Sequence, residues 1–589
     1  MTAIVILSPH SLPLARRLRA ALPGSEIHGL AGRVTEAETS FSDTMAHLRS
    51  LFAAGRPILG LCAAGILIRA VAPLLDDKQA EPPVLAVTES AVVPLLGGHH
   101  GANALARRIA ALLGGIAAVT TAGEGAFGIA LDEPPTGWSV ANPAAAKPIA
   151  AALLAGEPVA LDVSAGDAAW LGAVPFQESA ALTVRVTDRT VVPGNDLVLH
   201  PPVLAVGVGC ERGASPEELA GLVCDTLAAH GLAEGSVGCI VSVDVKADEA
   251  AVHAVAGRLG VPARFFPAAT LEAEAPRLIT PSEVVFREIG CHGVAEGAAL
   301  AAVGPAGRLV VAKVKSARCT CAIARAEGTL NAATIGRARG RLTVVGIGPG
   351  AEDWRTPEAT RAIAEAEDLV GYALYLDLLG EAAAGKDRHH SALGAEEDRV
   401  RMALNLAAEG RRVALVCSGD PGIYALATLV FEVMERDPRP DWDRLEVVVV
   451  PGLSAMQAAA ARIGAPLNHD FCAISLSDLL TPWPMIERRL KAAAEADFVV
   501  AFYNPVSQRR RDQLVKARDI LLTGRPAATP VVLARNLGRP GETVEVTSLG
   551  ALEVDQVDML TLVLVGSSDS RITRTGRVFT PRGYAAKLR

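Results

Sequence analysis

Three stretches decide the fold: RLTVVGIGPGAEDWRTPEATRAIAEA at 341–366, RRVALVCSGDPGIYALATLVFEVME at 411–435 and LEVVVVPGLSAMQAAAARIG at 445–464. Each runs from a β-branched apolar segment through a glycine-bearing turn into a pattern of helical spacing, the signature of a buried strand followed by a helix. Consecutive strands of this kind lie parallel. Their turns, GIGPG at 346–350, SGDPGIY at 418–424 and VVPGLSA at 449–455, should therefore crowd at the carboxyl edge of one sheet, where α/β proteins hold their cofactors.

In the first stretch Thr356 precedes the helix, Pro357 suits its first turn and Glu358 its positive end. By spacing alone, Gly346, Gly348 and Ala351 satisfy the dinucleotide fingerprint, which makes an NAD(P)-dependent Rossmann oxidoreductase the natural competitor. Two details count against it: the helix starts several residues after the glycines, and no acidic residue closes the second strand, EDLVGYALY at 367–375, where a ribose would be held. No GK[ST] follows to cradle a triphosphate. In the second stretch Asp420 either holds neighbouring amides or binds a cationic or hydroxyl-bearing ligand. In the third, Ser454 either caps the helix or offers its hydroxyl to a ligand.

The chain of 589 residues is too long for a single core; at roughly 150 residues per domain it implies three to five units. Apolar residues make up 50% and charged residues 20%, a composition that can bury large cores of small side chains. A formal net charge of -8 disfavours nucleic acid as a partner, since phosphate contacts need a basic surface. Nine cysteines without repeated CxxC spacing indicate neither a disulfide framework nor a zinc site, and no metal is expected. The start, MTAIVILSPHSLPLARRLRAAL, lacks the order of a secretory signal, and the most apolar stretch, 57–68, is too short to cross a bilayer. A cytoplasmic protein without a membrane partner is the expectation.

Alternating strand and helix patterns run almost throughout, so the reading is multidomain α/β. Pro and Gly thicken over 132–148, which places a boundary there. The expected units are 1–130, 131–200 and 201–325, then a small, polar and basic linker at 326–341, then 342–580 with lobes of about 342–455 and 456–580.

The turns occur in a specific order: GIGPG, SGDPGIY, PGLSA, then FYNP at 502–505, ARNLGRPGE at 534–542 and LVLVGSS at 562–568. This series resembles the class III tetrapyrrole methylase family, and within it the C(17)-methyltransferase branch. The resemblance implies a two-lobed α/β domain that holds S-adenosylmethionine between its lobes, a precorrin (tetrapyrrole) substrate and a homodimer. It further implies methylation of precorrin-3B at carbon 17 with contraction of the macrocycle to precorrin-4. Carried over by position, it assigns cofactor contacts to Pro349 and Gly350, to Gly419, Asp420, Pro421 and Ile423, to Ser454 and Ala455, to Tyr503 and Asn504, and to Asn536 and Thr561.

The amino-terminal half resembles the CbiG-type cobalt-precorrin-5A hydrolases in LGLCAAGILIRAV and its continuation to residue 110, in GVGCERGASPEEL at 207–219, in EIGCHGVAEGAAL at 288–300 and in VAKVKSARCTCAIAR at 311–325. That family opens a δ-lactone on a corrin precursor and releases acetaldehyde. The segment GGHHGAN at 97–103 leads into a helical pattern whose first amides suit a substrate carboxylate. His99 and His100 are candidate bases there, with Glu89 in TESA as a further candidate. Adjacent histidines face different directions, and a helix-initiating polar loop is the commoner explanation of such a pair. Cys62, Cys210 and Cys291 read as small core residues, Cys319 and Cys321 as metal ligands only with help from elsewhere, and Glu296 as facing a ligand or capping its helix.

Overall fold

The computed structural model describes residues 2–584 apart from 23, 77–80, 121–126, 193, 392–393 and 508. The chain divides into two compact units, Met1–Arg339 and Gly340–Arg589. Among the described residues no helix is long and apolar enough to cross a membrane.

The first unit holds three sheets. Strands β1 (Thr2–Ile6), β2 (Ser25–Leu30), β3 (Thr39–Phe41), β4 (Ile58–Leu61), β5 (Val84–Val87), β6 (Ala91–Leu96) and β7 (Ile116–Ala117) form the first, in the order β3-β2-β1-β4-β5-β6-β7. It is parallel except for the β5–β6 hairpin. Ile4, Ile6, Leu59 and Leu85 pack into one core and Ala3, Val5, Ile58 and Val84 into another, so both faces are covered and the strands read as unbroken apolar runs. Strands β8 (Ser139–Val140), β9 (Val159–Val163), β10 (Leu182–Val186) and β11 (Leu197–His200) form a second sheet, ordered β8-β11-β10-β9. The third contains β12 (Leu204–Cys210), β13 (Val237–Val243), β14 (Ala263–Phe266), β15 (Arg308–Lys315) and β16 (Cys319–Arg325), ordered β14-β13-β12-β16-β15.

The segment after β16 departs from the expected linker. Phe265 and Arg337 exchange backbone hydrogen bonds of 2.7 and 2.8 Å, and the Arg264 guanidinium donates to the carbonyls of Ala333, Ile335 and Gly336. Strand β14 is an edge strand with unpaired backbone groups, and this polar segment satisfies them. Residues 326–337 are thus part of the first unit rather than a free tether.

The second unit has two lobes. Strands β17 (Arg341–Gly346), β18 (Asp368–Tyr372), β19 (Asp387–Ser391), β20 (Arg412–Cys417) and β21 (Glu446–Val450) make an all-parallel sheet ordered β19-β18-β20-β17-β21. After β22 (Gly464–Ala465), strands β23 (Phe471–Ser475), β24 (Val499–Tyr503), β25 (Pro530–Arg535), β26 (Thr543–Ser548) and β27 (Thr561–Val565) make a mixed sheet ordered β23-β24-β27-β25-β26. A small ribbon of β28 (Arg571–Ile572) and β29 (Val578–Phe579) joins β22. In the first lobe β17 lies between β20 and β21, which brings the three glycine turns side by side.

Candidate functional site

The three turns are joined through their backbones. Gly348 and Gly419 exchange hydrogen bonds, N–H to O at 3.3 and 2.8 Å, and Ile347 N donates to Cys417 O at 3.0 Å. A Cβ built on Gly346 would lie 2.6 Å from Gly419 O and 2.8 Å from Gly452 N, and one on Gly452 would overlap the same Gly419 oxygen. Only glycine permits this approach. Gly419, at φ +71°, is buried but has nothing within 4 Å of its own Cβ position, so there is room beside the backbone of the second turn.

Asp420 fastens the arrangement. Its Oδ1 accepts from Gly422 N at 2.8 Å and its Oδ2 from Gly452 N at 3.2 Å, so one carboxylate spans the second and third turns. Pro421 is buried beside Gly346, its carbonyl accepting from Ala427 N, and Ile423 N donates to Asp420 O. The helix after the first turn begins only at Pro357, capped by Thr356 Oγ1 at 3.1 Å from Ala359 N. The GIGPG amides therefore do not start a helix, and a dinucleotide cradle is not formed.

Several nominated side chains are already committed to the protein. Ser454 is 1% exposed and forms a capping box with Gln457: its hydroxyl accepts from Gln457 N, and its own N–H donates to Gln457 Oε1. Its hydroxyl is a cap, leaving backbone as the only contribution of Ser454 and Ala455 to a ligand. Thr561 is buried and donates to Asp558 Oδ1 at 2.7 Å, closing the turn before β27. Both hydroxyls are thus engaged within the protein.

Tyr503 is different. Its hydroxyl accepts from Met456 N at 3.3 Å, in the first turn of the helix that Ser454 caps, and its ring centroid lies 5.2 Å from that of Tyr424. Burial pushes the Tyr503 phenol up from its ordinary value, so it stays protonated. Tyr424, from SGDPGIY, donates to Ala473 O at 2.9 Å and so ties the second turn to β23 of the other lobe. Asn504 donates from Nδ2 to Ser475 Oγ at 3.2 Å. Tyr424, Asn504 and Asn536 have φ of 51°, 47° and 50°; among the described residues only Asp497 joins them as a non-glycine residue at positive φ. Left-handed backbone outside glycine costs energy and collects at binding sites.

Within ARNLGRPGE the resemblance points to Asn536, but Arg539, like Tyr424, is a residue that crosses the lobes. Its Nε donates to Pro349 O at 2.7 Å and its Nη2 to Ser418 Oγ at 3.0 Å. A Cβ on Gly350 would collide with the Arg539 side chain. A partly buried arginine inside a glycine-rich motif was the available signal. Tyr424, the last residue of SGDPGIY, likewise carries a contact that its motif alone does not disclose.

In the first unit the nominated residues are not brought together. Glu89 is exposed on the turn of the β5–β6 hairpin, where Val87 pairs with Val92, whereas GGHHG follows the far end, where Val84 pairs with Leu96. His100 N and Ala102 N both donate to Gly97 O, and Gly101 N to Gly98 O, so these amides are spent within the loop. The His99 side chain lies outside the described residues, and His100 is exposed. Glu296, 1% exposed, accepts from the amides of Ile279, Thr280 and Lys313 and from the Thr280 hydroxyl, all at 2.8–2.9 Å. It binds the chain to itself rather than a ligand. Burial pushes the Cys62 and Cys210 thiols up to about 11 and raises those of Cys291, Cys319 and Cys321, which keeps them protonated and inert. No group of metal-binding side chains occurs among the described residues.

Residues 341–553 match the family described as Tetrapyrrole (Corrin/Porphyrin) Methylases, residues 204–324 the Cobalamin synthesis G C-terminus and residues 46–124 the Cobalamin synthesis G N-terminal region. Over 250 residues the chain is 47% identical to the precorrin-3B C(17)-methyltransferase of Sinorhizobium sp, an alignment covering 42% of this chain and 98% of that protein. It is 44% identical over 243 residues to the probable cobalt-factor III C(17)-methyltransferase of Salmonella typhimurium, covering 41% of this chain and 99% of that one. A crystal structure of the methyltransferase CobJ aligns with 43% identity over 41% of this chain and 100% of its own, with a TM-score of 0.39.

Proposed function

The chain belongs to the tetrapyrrole methylase family, with both cobalamin synthesis G regions ahead of the methylase domain, and from that membership we propose a bifunctional enzyme of cobalamin biosynthesis. The second unit is an S-adenosylmethionine-dependent methyltransferase, and the proposed reaction is methylation of precorrin-3B at carbon 17 with ring contraction to precorrin-4. The cobalt-containing form of that substrate is a close variant of the same reading. A homodimer, testable by sedimentation, is part of the proposal.

The observation that carries it is the junction of the three turns: free space at the Cβ position of Gly419, the Asp420 carboxylate bonded to Gly422 N and Gly452 N, and the pair Tyr424 and Tyr503 with ring centroids 5.2 Å apart. An anion and two aromatic faces suit a sulfonium cation, and no phosphate cradle competes. The donor supplies a methyl group already activated on sulfur. What the protein adds is position: Asp420 fixes the turns, the glycines let a ligand approach the backbone, and Tyr424 spans the lobes. Alignment of donor and acceptor carbons can supply on the order of 7–11 kcal/mol without a catalytic side chain. Incubation with precorrin-3B and methyl-labelled donor, read by the mass of the macrocycle, tests this; an unlabelled macrocycle beside a competent control enzyme would overturn it.

For the first unit the proposal is hydrolysis of the cobalt-precorrin-5A lactone: water adds to the carbonyl as the ring C–O bond breaks, giving a carboxylic acid and an alcohol. The alcohol then gives up its proton as its carbon's bond to the macrocycle breaks, so that acetaldehyde leaves and the electron pair and a proton stay on the ring. The separation of Glu89 from GGHHG favours a second reading, a tetrapyrrole-binding module without its own chemistry. Acetaldehyde release from the lactone substrate distinguishes the two.

A further inference from the structure

We infer that Arg539 is the positioning residue that assembles the donor site across the two lobes, an inference that rests on the methyltransferase reading above. The loop carrying it follows β25 in the second lobe, yet its guanidinium bonds the carbonyl of Pro349 in the first turn and the hydroxyl of Ser418 in the second. These are neighbouring turns whose backbones must stay in register to receive one ligand. A planar fork of fixed donors imposes one relative geometry on two such acceptors, whereas a flexible ammonium with rotatable donors imposes none.

The loop itself is braced for this task. Gly538, at φ +69°, lies so close to the first turn that a Cβ on it would come 2.5 Å from Ala351 N. Gly538 N donates to Glu542 Oε2 at 2.7 Å, and Glu542 Oε1 pairs with Arg462 Nε at 2.7 Å. The Arg462 guanidinium in turn sits 4.4 Å from the Trp354 ring, just beyond the first turn. The loop is thus clasped at both ends, with Arg539 at its centre and the Tyr375 ring 6.0 Å from its guanidinium carbon. Arg539 touches turns rather than reacting atoms, so its loss should appear in donor affinity first.

Calorimetric titration of the full chain with S-adenosylhomocysteine provides the test. Arg539→Ala and Arg539→Lys should each weaken binding at least tenfold with the melting temperature unchanged, and added guanidinium ion should restore part of the affinity to Arg539→Ala alone. If Arg539→Ala fails to fold, Arg539→Lys, which keeps the charge and most of the bulk, carries the test. Wild-type affinity in either variant overturns the inference. A wild-type chain that shows no heat with this ligand instead overturns the methyltransferase reading, so the two failures are distinguishable.

Discussion

The two halves of the chain both contain glycine-rich turns next to strands, but they use them differently. At the methylase junction the turns are bonded to one another, and a carboxylate, Asp420, reaches from one to the next. At GGHHG the amides of His100, Gly101 and Ala102 bond within the loop, and its nominated partner Glu89 stands at the opposite end of a hairpin. A motif marks a site when the topology converges several of them. A single glycine loop before a helix is satisfied by local geometry, and its chemistry must be shown separately.

The sharpest way to break this comparison is Gly452→Val. Its side chain would enter the space of the Gly419 carbonyl, against backbone that cannot yield. Overpacking of this kind costs about 3 kcal/mol or more, and binding of S-adenosylhomocysteine should fall below calorimetric detection. Acetaldehyde release by the first unit should persist. Loss of both activities together would show that the halves are not separable in the way their compact units suggest.

The next effect concerns the first unit alone. His28, 2% exposed, faces His47 Nε2 at 2.9 Å from its Nδ1 and Glu26 Oε2 at 3.5 Å from its Nε2, with Arg56 paired to the same Glu26. Burial, with the neighbouring His47 and Arg56, lowers its pKa to about 4 from 6.5. The unfolded chain therefore binds a proton that the folded chain refuses over this range, and stability falls as pH drops from 6.5 towards 4. The full shift corresponds to about 3 kcal/mol. Calorimetry of the full chain at pH 7.5 and 5 should show the first unit's transition falling, and His28→Phe should flatten that dependence.

Much of the architecture was legible because unbroken apolar strands, Thr356 before Pro357 and the order of the turns each act locally. The spans of the sheets and the crowding at the carboxyl edge follow from those signals. What was not legible depends on residues far apart in the chain: Arg539 meets Pro349 across 190 positions. Residues 326–337 read as a linker because an edge strand's need for partners is a tertiary fact. Ser454 and Thr561 were nominated from resemblance, but their hydroxyls close a cap and a turn. Residue type alone cannot separate a ligand contact from a cap.

Asp420→Asn tests the fastening itself. An amide offers one acceptor oxygen where the carboxylate offers two, so either Gly422 N or Gly452 N loses its partner. Hydrogen bonds to a charged group contribute about 1.5–3 kcal/mol, which places the loss of donor affinity at roughly 10- to 100-fold. Tyr424→Phe removes only the bond to Ala473 O and should cost about 1 kcal/mol in the same titration. If the two variants were equal in effect, the link between lobes would matter as much as the link between turns.

The smallest expected effect is at Glu89, and it bears most directly on the weaker half of the comparison. The side chain is exposed on a hairpin turn that is closed by Thr88, whose Oγ1 accepts from Ala91 N and donates to Ala91 O, both at 3.0 Å. Glu89→Gln therefore removes a charge without removing a hydrogen bond that shapes the turn, and stability should move by less than about 0.5 kcal/mol. Acetaldehyde release should be unchanged as well, because a base at the far end of the hairpin from Gly97 cannot serve a ligand seated at GGHHG. His100→Ala is the paired measurement: a fall in release there, with none at Glu89, places hydrolysis at the glycine loop. A fall at Glu89 would move the reaction to the other edge of the sheet and overturn the reading of GGHHG as its anchor.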